Sequence, residues 1–167
     1  MPCQTDNADV YWYADLNDPG ELESDDLAAL RSMLTNEYSP TDLAIHYDST
    51  PVFDGAAETD IIFQEAEAAL PLPSNDLWGI MWCNGQAAAA YECDQAYVRI
   101  KSPDGFRVYG GSVACHETGH AVGLVHGDDA YPQVYIDSSA LGCMTSGSNF
   151  PPGLSGNNAY FINQTYS

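Results

Sequence analysis

Three histidines fall at positions 116, 120 and 126, in the stretch Cys115-His116-Glu117-Thr118-Gly119-His120-Ala121-Val122-Gly123-Leu124-Val125-His126-Gly127-Asp128. Few folds can use all three together. Residues four apart on an α-helix lie one turn apart on the same face, so His116 and His120 can meet at one point only if the chain is helical there. A helix alone brings side chains to that point from one side. Gly123 supplies the way out, because glycine accepts positive φ and can stop a helix and turn the chain sharply. His126, three residues on, can then return from another direction. The full pattern, H-E-x-x-H-x-x-G-x-x-H, should arise in roughly 1 in 100,000 shuffled sequences of this composition. It takes three of the chain's four histidines. His46, the fourth, reads as an ordinary strand residue.

Three imidazoles leave the fourth position of a tetrahedral zinc ion for water, which is the pattern of a catalytic rather than a structural site. Glu117 lies about 100° around the helix from His116. It is too close in sequence to be an easy third ligand, but well placed to act as general base on a water beside the metal. The residues thus predict one zinc ion on His116, His120 and His126, with Glu117 catalytic.

The rest of the chain sets bounds on that chemistry. Its 167 residues fit a single domain spanning 1–167. With 24 acidic and 4 basic residues the net charge is −20, while 45% hydrophobic residues suffice for a core. No run reaches the ~18 apolar residues of a membrane span, and so acidic a surface repels nucleic acid. A soluble monomer without membrane or nucleic-acid partners is expected. Residues 1–76 hold 17 of the acids and one base, Arg31. Such carboxylates either solvate the surface or favour cations, which makes calcium a secondary expectation although no calcium-loop spacing occurs. The five cysteines, at 3, 83, 93, 115 and 143, form no C-x-x-C pair. Disulfides in an oxidising compartment are expected, with Cys83–Cys93 closing a short hairpin-like loop and one cysteine left over. The N-terminus has no signal-peptide character, so the chain reads as either cytosolic or a processed secreted form; the cysteines favour secretion.

Local patterns place the elements. Asp9–Leu16 reads as a strand, and Ser24 as the N-cap of a helix carrying Leu27, Leu30, Leu34 and Tyr38 on one face, ended by Pro40. Strands are expected at Asp42–Tyr47, Thr59–Gln64, Leu77–Cys83, Gln95–Lys101 and Phe106–Tyr109. A helix follows at Ser112–Val122, then an irregular stretch Gly127–Gly153, then a helix from Asn157 to Tyr166. The class is α+β, a small mixed twisted sheet with an N-terminal helix, an active-site helix and a short C-terminal helix.

The histidine stretch resembles the signature of the metzincin zinc peptidases, whose motif is followed by a methionine-containing turn. Gly142-Cys143-Met144-Thr145-Ser146-Gly147 offers that turn. The chain is most similar to short secreted microbial peptidases of the matrixin-like and snapalysin-like kinds. It keeps His126 where snapalysins have aspartate, and Ser146 where some metzincins have tyrosine. The resemblance implies a zinc endopeptidase cleaving protein or peptide substrates, with Met144 forming a hydrophobic floor beneath the metal. If helix and turn stack around one ion, Cys115 and Cys143 come close and a disulfide clamps them, leaving Cys3 as the spare. Pro2-Cys3 also invites comparison with the cysteine of matrixin propeptides, although the rest of that pattern is missing.

An extended substrate would add to a sheet edge, for which Gln95–Lys101 is the expected strand, its bases either favouring acidic residues or protecting the edge. Tyr131 and Tyr135 either shape the substrate site and its oxyanion or anchor their loop. Asp128 or Asp129 either supports a zinc histidine or is surface charge. Two other functions share the residues: a non-catalytic acidic module binding metal or calcium, which has no use for Glu117, and a zinc amidase acting on a non-protein amide.

Overall fold

The computed structural model describes residues 3–17, 19–55, 57–87, 89–101, 111–127, 129–130, 133–146, 151 and 153–167. Among them, six strands form one sheet: β1 (Gln4–Thr5), β2 (Asp9–Ala14), β3 (Ala44–Tyr47), β4 (Ile61–Ala66), β5 (Gly79–Gln86) and β6 (Glu92–Lys101). Three α-helices accompany it, α1 (Ser24–Met33), α2 (Ser112–Ala121) and α3 (Gly156–Tyr166). This is a mixed α/β architecture, consistent with the α+β class expected.

The strands run in the order β1-β6-β4-β2-β3, every neighbour parallel, with β5 antiparallel on the other side of β6. Parallel strands are buried on both faces, which is why Ile61-Ile62-Phe63 is a continuous apolar run. One face carries Val10, Trp12, Ala14, Ile61, Phe63, Ala96, Val98 and Ile100 into the core at the two-residue period of a strand. Leu30, Met33 and Leu34 from the first helical segment, Ala114 and Cys115 from α2 and Ile162 from α3 close over that face. Helix α2, which bears His116 and His120, is therefore laid on the sheet by its own apolar residues.

Several expectations are corrected. Gln95–Lys101 is not an edge: Val98 of β6 pairs with Phe63 of β4 on one side and Met81 of β5 on the other. The hairpin folds β5 back along β6 and makes β5 the outer strand. The cap of α1 is Glu23, in extended backbone, and Ser24 is already helical, with Asp25 and Asp26 in the first turn. That helix does not continue as α-helix to Tyr38; Leu34–Tyr38 is a π turn in which the Ser39 amide donates to the Leu34 carbonyl. The stretch expected to be irregular contains a 3-10 segment, Ser139–Met144. The C-terminal helix opens with a reciprocal cap, Ser155 Oγ accepting from the Asn158 amide and Asn158 Oδ1 from the Ser155 amide. The expected strand Phe106–Tyr109 lies outside the described residues. Among those described, no helix is long and apolar enough to cross a membrane.

Candidate metal centre

Helix α2 presents His116 and His120 one turn apart, and the chain leaves it through a tight reversal. Gly123 has φ +90°, its amide donates to the His120 carbonyl, and the Leu124 amide donates to the Gly119 carbonyl. These two bonds satisfy carbonyls that the helix end would leave orphaned, and only glycine takes this backbone cheaply. His126 comes back beside the other two. The three Nε2 atoms stand 3.1, 3.1 and 2.9 Å from one another.

The other ring nitrogens decide what those atoms are. His116 Nδ1 lies 2.7 Å from the Cys143 carbonyl and His120 Nδ1 lies 2.9 Å from the Leu124 carbonyl. A carbonyl only accepts, so both Nδ1 atoms donate and both Nε2 atoms of the neutral rings carry lone pairs. Burial, then the neighbouring imidazoles, pushes His116 down to about 4. Burial also lowers His120 and His126, with Asp129 opposing the shift at His126. At neutral pH the group offers lone pairs converging on one point, a repulsive arrangement without a shared cation. A tetrahedral zinc ion with ~2.0–2.1 Å bonds spans ligand atoms roughly 3.3 Å apart, close to the spacing found. The residues fit a metal ion, and carbonyl-oriented histidines are the usual setting for one.

Met144 lies fully buried in the 3-10 segment. Its sulfur occupies the space a Cβ at Gly119 would need. The glycine between His116 and His120 is thus what lets the methionine come up beneath the helix. Cys115 and Cys143 form a disulfide with Cα atoms 5.9 Å apart, joining that helix to that segment. Cys83 and Cys93 form the second, across β5 and β6, and Cys3 is free and half-buried.

Glu117 is buried beside the start of β5. A Cβ on Gly79 would stand 2.7 Å from its Cγ and 2.9 Å from Oε1, so the carboxyl lies directly against that backbone. Burial pushes it up to about 7, against a backbone hydrogen bond from Met81 that favours the charged form. Gly79 and Met81 were not legible as site residues, although a glycine opening a strand hints at close approach. The same holds for Gly119, whose low helix propensity inside a helix was the available signal.

The remaining expectations fall unevenly. Tyr135 is 85% exposed rather than packed as an anchor. Tyr131 and Asp128 lie outside the described residues. Asp129 acts on His126 electrostatically. Glu23, Asp26 and Glu65 bring carboxylate oxygens within 4.8 Å of one another, a group sequence reading did not single out. Two cavities of about 630 and 600 Å³ are lined by other residues than the histidines. No protein-family model matches this sequence, and no curated protein matches it.

Proposed function

We propose that this protein is a secreted, zinc-dependent endopeptidase of the metzincin kind, acting on protein or peptide substrates. The observation that carries the reading is the convergence of three histidine Nε2 atoms within 3.1 Å of one another, beside a helix whose Glu117 lies against the outer strand. His116, His120 and His126 would hold the ion, and Met144 would support them from below. When bound, zinc supplies Lewis acidity that polarises a carbonyl and acidifies water.

The chain's own residues supply the rest. Held near neutrality by burial, Glu117 can take a proton from water and return it to a leaving amine, which is what a general base needs at physiological pH. The Met81 hydrogen bond keeps that carboxylate aimed. Among the described residues β5 pairs only with β6, so its other edge offers main-chain donors and acceptors to an extended peptide beside Glu117. The two disulfides accord with an oxidising, extracellular setting.

The test is elemental analysis of the purified protein together with casein hydrolysis. Near-stoichiometric zinc and activity abolished by a chelator, then restored by zinc, are expected. Zinc-loaded protein that cleaves no peptide across a broad panel overturns the peptidase reading.

A further inference from the structure

The Tyr38 hydroxyl donates to the carbonyl of Cys115 at 2.6 Å, across 77 residues of chain. The side chain is fully buried, and burial, with the Glu37 charge adding, raises the phenol well above its ordinary range, so it remains a donor. Cys115 immediately precedes His116. The same hydroxyl stands 3.4 Å from where a Cβ on Gly119 would be, one residue before His120. The tyrosine therefore ends against the turn of α2 that bears both ligand histidines.

The π turn is what carries it there. Such turns give up regular helical bonding and occur as single insertions that re-aim side chains, frequently at functional sites. Its last two residues both reach outward. Glu37 Oε2 accepts from the Leu154 amide at 2.8 Å. The neighbouring Gly153 carbonyl accepts from the Cys143 amide at 2.8 Å. Cys143 in turn gives its carbonyl to His116 Nδ1. Consecutive residues of one turn thus hold the helix under two ligands and the segment that orients one of them. Simple core filling does not need this, since phenylalanine occupies the same space without a hydroxyl that must find a partner.

We infer that the π turn is a positioning device for the histidine site, and that Tyr38, through the Cys115 carbonyl, is the positioning residue that sets α2 against the Met144 segment. The inference rests on the metal-binding reading above. The turn belongs to the first helical segment, far in sequence from the motif, and contributes no side chain to the histidine cluster.

Tyr38→Phe tests it, because the ring stays and one oxygen goes. Zinc affinity is measured by chelator competition, the ligand field by visible absorption of the cobalt-loaded protein, and stability by the thermal midpoint without metal. Affinity should weaken ~10-fold, as for other groups acting behind a ligand, with altered cobalt bands. Leu27→Ala, which trims a partly buried side chain from the same helix, should lower the midpoint yet leave zinc affinity within about two-fold, since it leaves the ligand-orienting contacts intact. Unchanged affinity and bands in Tyr38→Phe overturn the inference. So does equal weakening by Leu27→Ala. A wild-type protein that binds no zinc instead refutes the metal reading beneath it, and the inference with it.

Discussion

The two disulfides hold regions of opposite character. Around Cys115–Cys143, His116, Glu117 and Met144 are all buried, and the histidine rings are tied to main-chain carbonyls. Cys83–Cys93 ties the outer strand to a buried cysteine of β6, and the side chains along that hairpin reach the surface. Trp82, next to Cys83, stacks on Tyr97 at 5.2 Å with Arg99 over its ring, and at the other end of the hairpin Trp78 is 55% exposed with Lys101 over its ring. Register shifts follow Cys83, where Gly85 and Gln86 slip against β6. The first staple fastens side chains that must keep one geometry to the segment beneath them. The second fixes only the course of a strand whose far edge stays available. A cross-link of one chemistry serves rigidity in one place and register in the other.

The sharpest break in this contrast is Glu117→Ala. Casein hydrolysis should fall by about 10²–10⁴-fold, as for loss of a general base, while zinc content by elemental analysis stays the same, because Glu117 lies outside the histidine cluster. Activity that persists removes Glu117 from the mechanism.

Next come the staples themselves. The loops they close differ, with sequence separations of 28 and 10. Chain entropy gives a loss of about 3.6 kcal/mol for the Cys115→Ser/Cys143→Ser pair and about 2.7 kcal/mol for Cys83→Ser/Cys93→Ser, read by urea unfolding of the metal-free protein. Only the first pair should also weaken zinc binding. Equal zinc loss in both would erase the distinction between the regions.

A smaller effect probes the floor of the site. Gly119→Ala should destabilise by about 1–3 kcal/mol, because the added methyl meets the Met144 sulfur. In an ordinary helix interior the same change stabilises by ~1 kcal/mol, so even the sign of the thermal shift is informative.

The least effect lies away from the histidines, at Asp60, whose carboxylate accepts from the Tyr11 amide at 2.6 Å. Burial, with Asp6 and Asp94 adding, pushes it up to about 6. Between the unfolded value of 3.8 and about 6 the folded protein holds a proton that the unfolded chain releases, so this group's contribution to stability is full below that window and lost as pH rises through it. Asp60→Asn should therefore raise stability at pH 7 by about 1 kcal/mol, kept small because the Tyr11 amide bond favours the charged carboxylate against its burial, and change little at pH 4. Denaturant midpoints at the two pH values measure it, and a gain of the same size at both would refute the assignment.

Much of the centre was readable because its information is local. His116 and His120 need only a helix, and Gly123 needs only its missing Cβ, so spacing and residue type sufficed to expect them together. The Cys83–Cys93 pair was readable for the same reason, lying on two segments joined by a short turn. The outer strand was not. Gln95–Lys101 and Gly79–Gln86 have similar β character, and which of them ends a sheet depends on what pairs with the far side of each. The π turn was equally hidden, since Leu27, Leu30, Leu34 and Tyr38 keep the spacing of an uninterrupted helix.

Sequence alone thus determined which atoms of this protein could converge: the periodicity of one helix and one glycine bend is a short-range property that a few side chains dictate. Only tertiary structure decided what stands behind them. Cys143 turning its carbonyl to His116, Met144 rising under Gly119, β5 displacing β6 from the edge and Tyr38 reaching Cys115 all join residues far apart in the chain. Their closeness follows from burying one sheet face beneath three helices, and no local pattern encodes that cooperative burial.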